Sequence, residues 1–267
     1  MGRLSSVLLV LALAAGAAGL WYYRSGDLKP MSGSASDELV ADDWLDNLRS
    51  QNPRVAEDAA HHVTTLGVTA LPEIEAALRD PAADPLRKKA ALKACGLLGQ
   101  LSRPALEGVA AHLPIPDYTT EAAVALSFMG RDAFPPLRDA LASDDPIVRR
   151  ESLRSLGKLR ERAPLDPRAV VPLLIDGITD PDPGVRVVSA TYLGIIHDDA
   201  ATAVPALVTA LADGEAEVRT AAAEALGSFG AAAEPAIEAL RKAAADHDEN
   251  VAREAGLALV KLQKQQP

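Results

Sequence analysis

Aromatic side chains are scarce: 3 Phe, 4 Tyr and 2 Trp make up 3% of the 267 residues, although 48% of the chain is apolar. A β-sandwich draws on aromatic and β-branched residues, so that shortage argues against one. Cysteine is rarer still. The lone Cys95 cannot close an internal disulfide, and no CxxC pair or His/Cys cluster offers zinc-ligand spacing. Basic charge is in deficit, with 27 Lys and Arg against 37 Asp and Glu and a formal net charge of −10. Phosphate neutralisation needs the opposite sign, so nucleic acid is not an expected partner. The phosphate-binding P-loop, the strand-linked GxGxxG and the nucleophile elbow GxSxG are all missing. What the chain does have is 52 Ala and 37 Leu, the strongest helix formers, and an all-α fold follows from them.

Residues 4–23, LSSVLLVLALAAGAAGLWYY, carry no charge. Twenty helical residues cover about 30 Å, the thickness of a bilayer core. Arg3 precedes the run, and Trp21, Tyr22, Tyr23 and Arg24 close it, which suits a membrane–water interface. A cleaved signal peptide is the competing reading, with small residues Ala15, Gly16 and Ala17 at the cleavage site. Residues 25–38 are rich in Gly and Ser and read as a flexible tether. The spacing of Leu39, Val40, Trp44, Leu45 and Leu48 predicts that helical repeats begin near residue 39. Three segments result: an anchor or signal at 1–24, a linker at 25–38 and a repeat region at 39–267.

The repeat region writes one pattern several times. DGEAEVRTAAAEALGSFG at 213–230 recurs as DDPIVRRESLRSLGKL at 144–159 and DPDPGVRVVSATYLGII at 180–196. Looser copies are DPLRKKAALKACGLLG at 84–99, DYTTEAAVALSFMG at 117–130 and a final DHDENVAREAGLALVKL ending at Leu262. After each copy comes a proline with an apolar residue two positions on; these prolines are 72, 104, 135, 172, 205 and 235. A period near 33 residues signals stacked helix pairs, none of which buries its apolar stripe alone. Asp before Pro at 80, 145 and 180 predicts helix N-caps. Gly at 67, 96, 157, 194 and 227 is expected to end or tighten the first helix of each pair, and proline to sit in the first turn of the second.

On these residues the chain resembles the HEAT-repeat family, in the short bacterial form called PBS-lyase HEAT-like repeats. The shared pattern is D-P-x-x-V-R-x-x-A-x-x-A-L-G with A-x-P-x-L in the second helix, over about 51–262. The resemblance implies a right-handed α-solenoid of about six to seven helix pairs, with second helices on its concave side. It also implies Asp–Arg ladders between units, drawn from Asp80, Asp180, Asp213 and Asp246 with Arg149, Arg186, Arg219 and Arg253.

No catalytic, metal or cofactor-binding residue is expected, and no small-molecule substrate. None of the five histidines precedes a glutamate, the signature of the family's di-iron hydroxylase. Paired acids such as Asp198-Asp199 sit at segment starts, where caps explain them. The expected role is a non-catalytic scaffold for a protein partner. The concave candidates lie three and four positions beyond each proline: Glu75, Glu107, Arg138, Ile175, Val208 and Glu238, then Asp139, Asp176 and Thr209. Ile175 and Val208 flanked by charges would form an apolar centre with a polar rim. A second candidate is the basic face of Arg150, Arg154 and Lys158, read either as a solvated face or as a patch for an acidic partner. Expected placement is a single pass through the inner membrane with the repeats in the periplasm, or secretion after cleavage. The alternatives are an enzyme or accessory of the bilin-lyase type, a spacer without a ligand, and an inverted, cytoplasm-facing adaptor.

Overall fold

The structure, a computed structural model, describes residues 44–163 and 165–264. The anchor, the tether and the first residues of the opening half-repeat lie outside them. Among the described residues there is no strand, and no helix is long and apolar enough to cross a membrane. A short helix α1 (Trp44–Asn47) comes first, burying Trp44 and Leu45. Six helix pairs follow: α2 (Pro53–Leu66) with α3 (Leu71–Arg79), α4 (Pro85–Leu98) with α5 (Leu106–Ala110), and α6 (Thr119–Leu126) with α7 (Phe134–Asp139). Then come α8 (Pro146–Arg162) with α9 (Pro167–Gly177), α10 (Pro183–Ile196) with α11 (Ala200–Ala210), and α12 (Ala216–Ser228) with α13 (Ile237–Ala243). A single first-type helix, α14 (Glu249–Lys264), ends the array. From α2 onward, first helices stack on first helices, and each from α4 on also packs on the second helix of the preceding pair.

Capped starts explain where several first helices begin. Asn52, Asp84, Asp145 and Asp182 each accept a backbone N–H from two or three residues on, and a proline follows each one directly. Such a cap contributes about 1 kcal/mol. Two expected caps are displaced. Asp80 and Asp180 precede prolines but stand in the turn, accepting from Ala82 N at 2.8 Å and Asp182 N at 2.9 Å. A second Asp-Pro pair, two or four residues later, opens the helix.

The glycines also divide into two jobs. Gly67, Gly99, Gly130 and Gly230 have positive φ and make the turn from first to second helix, a conformation that costs glycine little. In the fifth pair His197 (φ 36°) and Asp199 (φ 51°) adopt it instead, and Asp198 in that turn is held by Arg160 Nη2 at 2.7 Å. Gly96, Gly157, Gly194 and Gly227, expected to end helices, lie inside them. At Gly157, Gly194 and Gly227 the missing side chain lets the next first helix in. A β-carbon on Gly194 would stand 2.6 Å from Ala225 Cα, and one on Gly157 would meet the Tyr192 ring at 2.1 Å. The prolines differ similarly from expectation. Pro72 and Pro135 occupy first turns, but Pro172 and Pro205 are the sixth residues of α9 and α11, and Pro104 and Pro235 lie in 3₁₀ segments.

A ladder joins the later pairs. Arg149 reaches Asp180 with Nε–Oδ2 at 2.8 Å and Nη2–Oδ1 at 2.7 Å. Arg186–Asp213 (2.7 and 2.9 Å) and Arg219–Asp246 (2.8 and 2.9 Å) repeat that bidentate geometry. The remaining nitrogen of each arginine donates to two carbonyls of its own entry turn, as Arg186 Nη1 does to Asp180 O and Pro181 O. Two expected members do not take part. Arg253 is one residue past the ladder position, which Ala252 holds, and about 100° of helix rotation sends it to Glu254 instead. Among the described residues no arginine pairs with Asp80. The ladder does not extend back beyond Arg149, because Ser143 stands where Asp180 stands one unit later. Its hydroxyl caps Asp145 N at 3.2 Å but offers no charge.

Two stability predictions follow from this packing. Gly194→Ala should lower stability by about 1–3 kcal/mol, because backbone must shift. Gly256→Ala, in a helix where a β-carbon meets nothing within 4 Å, should raise it by roughly 0.5–1 kcal/mol. Urea unfolding of both variants measures the pair, and equal effects would contradict the stacking geometry. Cys95 is fully buried, and burial, then the Glu75 charge, pushes its thiol up to about 12. A disulfide reagent at pH 8 should therefore label the folded chain only as fast as it opens.

Candidate functional site

The second helices carry most of the expected partner residues. Arg138, Asp139, Asp176 and Thr209 are exposed, as are Glu107 and Glu238. Arg138 bonds its neighbour Asp139 through Nη2 at 2.7 Å, and Thr209 donates to Pro205 O at 3.2 Å. Ile175 and Val208 are not an exposed apolar centre. Both are half-buried and pack against the core, as is Glu75 by exposure. The reason is periodicity: Ile175 lies one turn from buried Val171 and Ile178, so it borders the inward stripe.

An apolar floor exists elsewhere. A groove of about 390 Å³ opens between the α7 end, α8 and α9, lined by Arg138, Leu141, Ala142, Arg149, Leu153, Leu173, Asp176, Gly177 and Asp180. Buried Leu153 and half-buried Leu141 and Leu173 form its apolar floor, the Arg149–Asp180 rung is part of its lining, and exposed Arg138 and Asp176 stand at the rim. Two expected residues, Arg138 and Asp176, thus meet on one feature. The leucines were not foreseen, since their proximity arises only when successive pairs stack. A second cavity of about 480 Å³, lined by Gln100, Arg103, Met129, Gly130, Arg131, Asp132 and Ala163, contains none of the expected residues.

Arg150, Arg154 and Lys158 lie on α8, a first helix, apart from that groove. They do not form a free solvated face. Arg150 Nε and Arg154 Nη1 bond the buried Glu151 carboxylate at 3.2 and 2.8 Å, and Lys158 is half-buried. Among the described residues no three His, Cys, Asp or Glu side chains are grouped to hold a metal ion.

Comparison with known proteins agrees with this architecture. The family model for HEAT repeats matches residues 134–227 and 171–260. Residues 134–260 are HEAT repeats. Its fold resembles that of importin beta at 15% identity, with 83% of this chain and 33% of that one covered and a TM-score of 0.60. A structure of Kap95p with RanGDP is similar at 14% identity, covering 83% and 32%, with a TM-score of 0.61. The complex of CpcE and CpcF of phycocyanin lyase from Nostoc sp. PCC7120 matches at 27% identity, covering 58% and 98%, with a TM-score of 0.49. No curated protein matches the chain by sequence.

The ladder couples the ionisation of its carboxylates to the folded state. Burial would raise the Asp180 and Asp213 carboxyls. Hydrogen bonds from Arg149 and Arg186, a backbone N–H and the arginine charges outweigh it and hold both below the usual carboxylate range. The Arg219 hydrogen bonds, then the Asp248 N–H, lower Asp246 to about 2. A carboxyl lowered from an unfolded value of about 3.9 stabilises the fold above pH 4 and loses that contribution as pH falls toward 2. Asp246→Asn should therefore flatten the fall of the thermal midpoint between about pH 4 and pH 2. An unchanged slope would show that the rung does not carry it.

Proposed function

We propose that the chain is a non-catalytic scaffold that binds a protein partner on its second-helix face, centred on the groove between α7, α8 and α9. The observation that carries this reading is the groove itself, an apolar leucine floor with Arg138 and Asp176 at its rim. An apolar centre within a polar rim is the general form of a protein contact site. HEAT repeats make such a surface rigid before binding, which lowers the ordering cost of association. In this reading residues 1–24 hold the chain at the inner membrane or act as a cleaved signal, residues 25–38 are the tether, and the repeats wind right-handed in the periplasm. The uncharged run 4–23 supports the membrane element.

The test uses the full chain as cross-linking bait in native envelopes, beside an Arg138→Asp, Asp176→Arg double variant. Exchanging the rim charges should cut recovery of the partner by about tenfold or more while leaving the thermal midpoint in place. Equal recovery by both baits would overturn the groove as the contact site.

A further inference from the structure

The ridge on α8 is a second surface, with a charge opposite to that of the chain as a whole. Arg150, Arg154, Lys158 and Arg162 recur every four residues, so each step drifts only about 40° around the helix and the ridge runs about 18 Å along it. Its ends lean on different neighbours. Arg150 approaches Gly184 at the start of α10, while Arg162 lies 4.1 Å over the Phe128 ring beyond α6 and donates to Ser127 Oγ at 3.3 Å. Glu151, with 4% of its side chain exposed, fixes Arg150 and Arg154 from beneath. Three guanidinium groups are thus positioned in advance, each committing one nitrogen to hydrogen bonds.

Lys158 sits between Arg154 and Arg162 along the helix. Among the described residues it has no hydrogen bond and no ion pair. Burial, then the charges of Arg162 and Arg154, pushes its ammonium below the ordinary lysine value. The acids that act on it are Glu151, already bonded to two arginines, and the exposed Glu161 at the rim. Four cations therefore meet Glu151 and Glu161, with Asp182 near Arg150 at the start of α10, and Lys158 has no carboxylate of its own.

We propose that the Arg150, Arg154, Lys158 and Arg162 ridge binds a carboxylate-rich segment of a protein partner, with one carboxylate seated on Lys158 between two arginine forks. Planar guanidinium groups match carboxylates in bidentate geometry. A polyanion of large extent, such as an anionic membrane or a nucleic acid, would meet the repulsion of a chain with net charge −10. A short acidic segment meets the ridge alone. This surface lies on a first helix, so it stands or falls separately from the groove and its Arg138 and Asp176 rim.

The test titrates the full-length chain, in mild detergent, with fluorescein-labelled hexaglutamate at about 50 mM salt, where exposed charges are weakly screened. Saturable binding is expected, weakened about tenfold or more by Lys158→Glu and less by Lys158→Met. Lys242→Glu, which alters an exposed lysine on α13, should leave it unchanged. Lys158 has no internal bond to lose, so both its variants should keep the wild-type thermal midpoint. Absence of binding by the wild type, or equal binding by Lys158→Glu, would overturn the proposal. So would stronger Lys158-dependent capture by phosphatidylserine vesicles than by the peptide.

Discussion

Everything in the array depends on how closely one first helix can lie against the next. At Gly194 a single methyl group would stand 2.6 Å from the Ala225 backbone, and at Gly227 it would stand 3.2 Å from Ala258. Contacts this short admit only small residues, which accounts for the many alanines in the core. The exception proves the geometry: Tyr192, the bulkiest side chain between α8 and α10, is accommodated because residue 157 has no side chain. The final helix places Val260 where its predecessors carry that glycine, and Val260 is 46% exposed.

The Arg–Asp rungs act on the same stack from one edge, and they are not uniform along it. Three consecutive rungs tie the pairs from α8 to α14, each arginine joining its own entry turn to the next. Earlier pairs are joined differently, with Arg87 bonding Asp46 and Glu73, and Arg49 and Lys89 sharing Glu121. Second helices do not follow that division: α5, α7 and α13 are short and adjoin 3₁₀ segments, whereas α9 and α11 each run 11 residues. The groove lies at the junction of the two regimes, where the ladder begins.

Two surfaces of different chemistry result, a groove with an aliphatic floor and a ridge of fixed cations. Few aromatics are present to act as deep anchors in either. In the proposed binding mode, affinity comes from breadth and from charge placed in advance, and not from one buried Trp or Tyr. Rigid helices suit that mode, because side chains held by Glu151 or Phe128 lose little freedom on binding.

Fold class, repeat period and several helix starts were legible in the sequence, because they are local properties: helix propensity, capped Asp-Pro steps and an apolar stripe every turn. Most of the ladder could be placed by resemblance, though Arg253 could not, since a one-residue offset matters only once a helix fixes the side chain's direction. Tertiary structure decided the rest. It alone showed that interior glycines serve contact and not termination, and that Ile175 and Val208 turn inward. It alone brought Leu141, Leu153 and Leu173 to one floor. The physical reason is that a sequence pattern specifies which face of a helix is apolar, while a groove is the space left between helices, set by how three of them pack.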